Sequence, residues 1–71
     1  MAETRYAFLA RTLAAEIAAG TPPVGATLPN EFALADRFGV SRATVRAALG
    51  QLSGLGLVTR RRNAGTRVEA R

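Results

Sequence analysis

The step that most restricts this sequence is Phe38-Gly39-Val40-Ser41, because it leaves space for only a tight turn between two amphipathic helical segments. Upstream, Pro29 is followed by Asn30, a side-chain cap, and by Glu31, whose carboxylate suits the positive end of a helix. Leu34, Ala35 and Phe38 then form an apolar stripe, and Gly39 ends it. Downstream, Ser41 caps a helix whose inner face is Val45, Ala48, Leu49 and Leu52 and which runs to Gly54. Two helices joined by a short glycine-containing turn are a helix-turn-helix.

The flanks extend the pattern. Tyr6, Leu9, Ala10, Leu13, Ala14 and Ile17 recur at helical spacing over Arg5 to Ala19, with Gly20 and the Pro22-Pro23 pair as the stop. A short extended piece is predicted at Thr27-Leu28. After Gly56 the period changes: Leu57-Val58-Thr59-Arg60 and Thr66-Arg67-Val68-Glu69 read as strands around a basic turn, residues 61–65, that contains Asn63 and Gly65. The fold class predicted is mainly α with a small β-hairpin: a winged helix-turn-helix of three helices and a two- or three-stranded wing, as one domain over residues 1–71.

Chemistry is limited by what the 71 residues lack. Without cysteine or histidine there are no disulfides, thiolate or imidazole metal ligands, or thiol nucleophiles. The five acids show no pairing of two cooperating carboxylates. Of 34 apolar residues 15 are alanine, enough for a thin helical core but not for a separate substrate domain. The expectation is a non-enzyme with no catalytic residue, cofactor or metal. Neither a signal peptide nor a membrane span is legible, which predicts a cytoplasmic, nucleoid-associated protein.

Charge then separates the halves. Residues 1–36 carry two arginines against four carboxylates, net −2, whereas residues 37–71 carry eight arginines against Glu69, net +7. That asymmetry points to a polyanion. Arg42 and Arg46, four apart at the start of the third helix, fall on one face, read here as opposite the Leu49 and Leu52 side. A major groove about 12 Å wide admits such a helix end, and guanine offers O6 and N7 to a guanidinium. Thr44 offers a methyl or a hydroxyl, and the small Ala47 and Gly50 let the helix lie close to the groove wall. Strand alternation keeps Arg60, Arg61 and Arg62 from contacting DNA equally, and Arg62 with Asn63 is the pair best placed for a minor groove. The alternative is a winged-helix interaction module that docks an acidic partner through Phe32.

The run Leu28-Pro29-Asn30-Glu31, Leu34-Ala35, Phe38 to Leu49, Leu52, Gly56-Leu57-Val58 and Gly65-Thr66-Arg67-Val68 resembles the GntR (gluconate-repressor-like) transcriptional regulators over almost the whole chain. The resemblance implies a bacterial one-component regulator, a repressor answering to a small metabolite. Its helix at 41–54 would enter the major groove and its wing at 60–66 would approach the minor groove. It carries DNA contacts over to Arg42, Thr44 and Arg46, and to the wing tip at Arg62 and Asn63. Joined to the residue reading, it gives Ser41, Arg42, Ala43, Thr44, Arg46, Phe32, Arg61, Arg62, Asn63 and Gly65 as the candidate set. The implied partner is double-stranded DNA bearing an inverted repeat, read by a homodimer of the full-length regulator, with this domain alone expected to be monomeric. The effector-binding and oligomerisation domain of the family is expected to lie outside these residues. Two departures stand out: Phe32 occupies a position where members often carry Arg, and Asn63-Ala64 replaces a more usual Gly-Lys.

Overall fold

The structure, a computed structural model, describes residues 3–61 and 65–70. Three helices, α1 (Arg5–Ala18), α2 (Glu31–Phe38) and α3 (Arg42–Gly54), precede a hairpin of β1 (Val58–Arg61) and β2 (Gly65–Val68). The winged helix-turn-helix read from the sequence is therefore the observed fold. Each helix starts where a side-chain oxygen takes up a free amide. Thr4 accepts from the Ala7 N–H at 3.2 Å, Asn30 from Ala33 at 2.8 Å and Ser41 from Thr44 at 3.2 Å. Gly39 closes α2 in the left-handed region, φ 65°, which turns the chain into α3 without strain.

Helix α3 is the hub, packing on α1, on α2 and on β1. Val45, Ala48, Leu49 and Leu52 meet Leu9, Ala10, Leu13 and Ile17 of α1, Leu34 of α2, and Leu28, Val58 and Val68 in one buried cluster. Tyr6 falls outside it: at the first turn of α1 it lies one turn short of the core and stays exposed. Ala35 and Phe38 are only partly covered, so Leu34 alone fixes the inner face of α2.

The wing gains a third member. β1 and β2 pair antiparallel from Val58 with Val68 to Arg61 with Gly65. On the other edge of β2, Gly25 and Leu28 donate to the carbonyls of Val68 and Thr66, both at 2.8 Å, and Val68 donates to Ala26 at 2.9 Å. The extended piece predicted at Thr27-Leu28 is thus a bridge to β2, pairing Thr27 with Arg67. The hairpin runs one residue off the predicted strands, because the Leu57 N–H donates to Leu52 at 3.0 Å and so seals the end of α3. Gly65 is favoured by its φ of +79°, and a Cβ there would also crowd Thr27 Cγ2 at 3.2 Å. Among the described residues no helix is long and apolar enough to cross a membrane.

Candidate nucleic-acid interface

The start of α2, Leu49 of α3 and the wing meet along one groove of about 610 Å³ lined by Pro29, Asn30, Glu31, Phe32, Leu49, Arg60, Arg61, Gly65 and Thr66. Capping sets its floor, since Asn30 and Ser41 fix where α2 and α3 begin. Glu31, in the first turn of α2, accepts from Arg46 Nε at 3.1 Å on one carboxylate oxygen and 3.0 Å on the other. Arg60 Nη2 approaches the same carboxylate at 3.7 Å. Arg42 lies over the Phe32 ring, 4.5 Å from its centroid, a cation–π contact.

Arg42, Arg46 and Arg61 are all exposed, and Arg42 and Arg46 are linked to neighbouring residues of α2. Ala43 is exposed beside them and Thr44 is half-buried. The Thr44 hydroxyl lies 3.0 Å from the Ser41 hydroxyl, so it is tied to the capping side chain of α3. Arg62 and Asn63 lie outside the described residues.

One expectation needs correcting. Arg42 and Arg46 do not stand opposite Leu49. At 3.6 residues per turn a seven-residue step returns to within about 20° of its start, so Leu49 continues the Arg42 stripe two turns further on. It is nevertheless buried, 2% exposed, and lines the groove that holds Glu31 and Phe32. The Arg42 side of α3 is exposed in the first turns and covered at Leu49, while Val45, Ala48 and Leu52 are buried on the inner side along the helix. Gly50, exposed on the same helix, would meet no atom within 4 Å if it gained a Cβ. The fold itself gives no reason for a glycine there.

The sequence reading missed Glu31 as the partner of Arg46. The two are 15 positions apart, and only the crossing of α2 over α3 joins them. Not every arginine faces the groove. Arg11 forks onto Glu3, and Arg37 onto Glu16 at 3.1 Å through Nη1. Hydrogen bonding from Arg11 holds the Glu3 carboxyl below its ordinary value of 4.5, and the carboxylates of Glu3 and Glu16 raise Arg11 and Arg37 above the ordinary arginine value. Among the described residues no three potential ligands gather to hold a metal.

The family model described as "Bacterial regulatory proteins, gntR family" matches residues 5–68. The chain is 48% identical over 58 residues to the HTH-type transcriptional regulator Rv0792c of Mycobacterium tuberculosis, covering 82% of this chain and 22% of the relative. It is 45% identical over 60 residues to the uncharacterised HTH-type transcriptional regulator YieP of Escherichia coli, covering 84% and 26%. The chain therefore spans about a quarter of the length of these curated relatives. Among solved structures, the AraR DNA-binding domain in complex with operator ORE1 superimposes with a TM-score of 0.92 at 32% identity, covering 96% of this chain and 83% of that one. Streptococcus agalactiae GntR superimposes with a TM-score of 0.80 at 34% identity, covering 90% and 31%.

Proposed function

The chain belongs to the gntR family of bacterial regulatory proteins, and from that premise we propose that its 71 residues are the operator-reading domain of a transcription regulator. The convergence of Arg42, Arg46, Arg60 and Arg61 on one groove carries this reading. The AraR domain, similar in fold, is described bound to an operator, which supports it.

Binding has two parts. Arginines of α3 and the wing neutralise phosphates and release counterions, which is indifferent to sequence; Arg42, Arg46 and the Thr44 methyl read bases in the major groove. With roughly four to six phosphates neutralised per domain, log K falls against log salt with a slope of about −4 to −5. Arg61, together with Arg62 and Asn63, serves the backbone and the minor groove. Tight binding comes from two domains on an inverted repeat with half-sites about one helical turn apart, brought together by the remainder of a full-length, metabolite-responsive repressor. The rival module with an acidic protein partner would use Phe32 as its anchor, but that ring already carries Arg42.

The test is selection of duplexes from a randomised pool by the 71-residue chain, followed by titration of the selected and a scrambled duplex. Arg42→Ala should flatten the ratio between the two, whereas Arg61→Ala should weaken both about equally. No enrichment from the pool, or an unchanged ratio with Arg42→Ala, would overturn the assignment.

A further inference from the structure

A carboxylate in the middle of a DNA-facing groove is repelled by every duplex, right or wrong, so Glu31 is out of place unless it helps the right one more. Its contact explains how. Arg46 presents Nε to both Glu31 oxygens, at 3.1 and 3.0 Å, which takes up one edge of the guanidinium. The Nη1/Nη2 edge remains, and such a planar fork matches guanine O6 and N7. Glu31 is itself well fixed: α2 is capped by Asn30 and anchored by Leu34, 0% exposed. Arg60, brought by β1, shares the carboxylate at 3.7 Å, so wing and α3 are referred to one point. Arg42 is held differently, by the Phe32 ring at 4.5 Å, and its charge is not cancelled.

We propose that Glu31 is a specificity-determining positioning residue: it turns the Nη edge of Arg46 toward a base and keeps that guanidinium from being taken up by a phosphate. The proposal rests on the DNA reading above. Glu31 lowers affinity for all duplexes by removing about one positive charge from the face, and raises the difference between them by orienting a base-reading donor.

The experiment is fluorescence anisotropy of the 71-residue chain on the selected and the scrambled duplex across a salt series, with wild type, Glu31→Gln, Glu31→Asp, Arg46→Ala and the Glu31→Gln/Arg46→Ala pair. Glu31→Gln should bind the scrambled duplex several-fold tighter, steepen the salt slope by about one, and lower the selected-to-scrambled ratio about fivefold or more. Glu31→Asp keeps the charge and the helix-start preference but shortens the reach, so the ratio should fall with little change in slope, and it serves if Glu31→Gln folds poorly. In the Arg46→Ala background Glu31→Gln should leave the ratio unchanged. The proposal is overturned if Glu31→Gln preserves the ratio in the wild-type background, or lowers it equally without Arg46, since Glu31 would then read a base itself. A wild-type chain that binds neither duplex removes the DNA reading and this inference with it, and that failure is visible before any substitution is made.

Discussion

On the surface around α1, Arg11 forks onto Glu3 and, on another side of the helix, Glu16 takes Arg37 from the end of α2; in the groove between α2, α3 and β1, Glu31 alone meets Arg46 and Arg60 while Arg42 rests on a ring. The first region has one carboxylate for each of these arginines and is close to neutral. The second has fewer carboxylates than guanidiniums and keeps an excess of positive charge. A count of arginines along the chain therefore overstates the basic surface: Arg37 falls in the basic half of the sequence but belongs electrostatically to the other region. Partner supply, more than arginine number, decides where a polyanion can bind.

The largest effect separating the two regions should come from removing one arginine in each. Arg46→Ala should cost about 1–3 kcal/mol of discrimination between selected and scrambled duplex, and leaves Glu31 facing phosphate without its main partner, so both affinities drop as well. Arg37→Ala should leave the ratio untouched. Equal losses in anisotropy titrations would break the contrast.

An intermediate effect is expected at Gly50. Glycine inside a helix is less stable than alanine by about 0.5–1 kcal/mol, and nothing in the fold occupies the space a Cβ would take. Gly50→Ala should therefore raise the melting temperature while weakening DNA binding, if close approach to the groove wall is what the glycine allows. Gains in both would show that the position is indifferent to DNA.

The smallest effect belongs to the surface around α1. The Glu3 carboxyl is held below its ordinary value by hydrogen bonding from Arg11, so its contribution to stability is present above that value and is lost as pH falls through the lowered one. Because the pair is fully exposed, the contribution is small. Glu3→Gln should flatten a slight fall in melting temperature between about pH 5 and 3, with no change in DNA binding at neutral pH.

What could be read from the sequence is what depends on a few neighbouring residues. Asn30 and Ser41 act on amides three residues away, and Gly39 acts on its own φ, so the turn and both helix starts were legible. So were Val45, Ala48, Leu49 and Leu52 as core, from their spacing. Contacts that need the crossing of elements were not. Glu31 reads locally as a helix-start acid, and nothing near it in sequence announces Arg46 or Arg60. The pairing of residues 25–28 with β2 was likewise visible only as a short extended tendency. The Leu49 error has a geometric source: burial at Leu49 does not place it opposite Arg42, because a seven-residue step returns to within about 20° of the same side and Leu49 is covered there by the groove.

Because α3 packs against α1, α2 and β1 while Arg42, Ala43 and Arg46 in its first two turns stay exposed, its capacity to acquire a new target is unevenly distributed. Exchanges at Arg42, Ala43 or Arg46 should carry little penalty to folding, since none of them is buried, and on the proposed reading would alter recognition. Val45, Ala48, Leu49 and Leu52 of the same helix are committed to the interior, where trimming Leu49 or Leu52 to alanine would cost about 2–5 kcal/mol. On that reading, descendants of this domain could retune their preference within a few positions while inheriting the buried residues of the helix nearly intact.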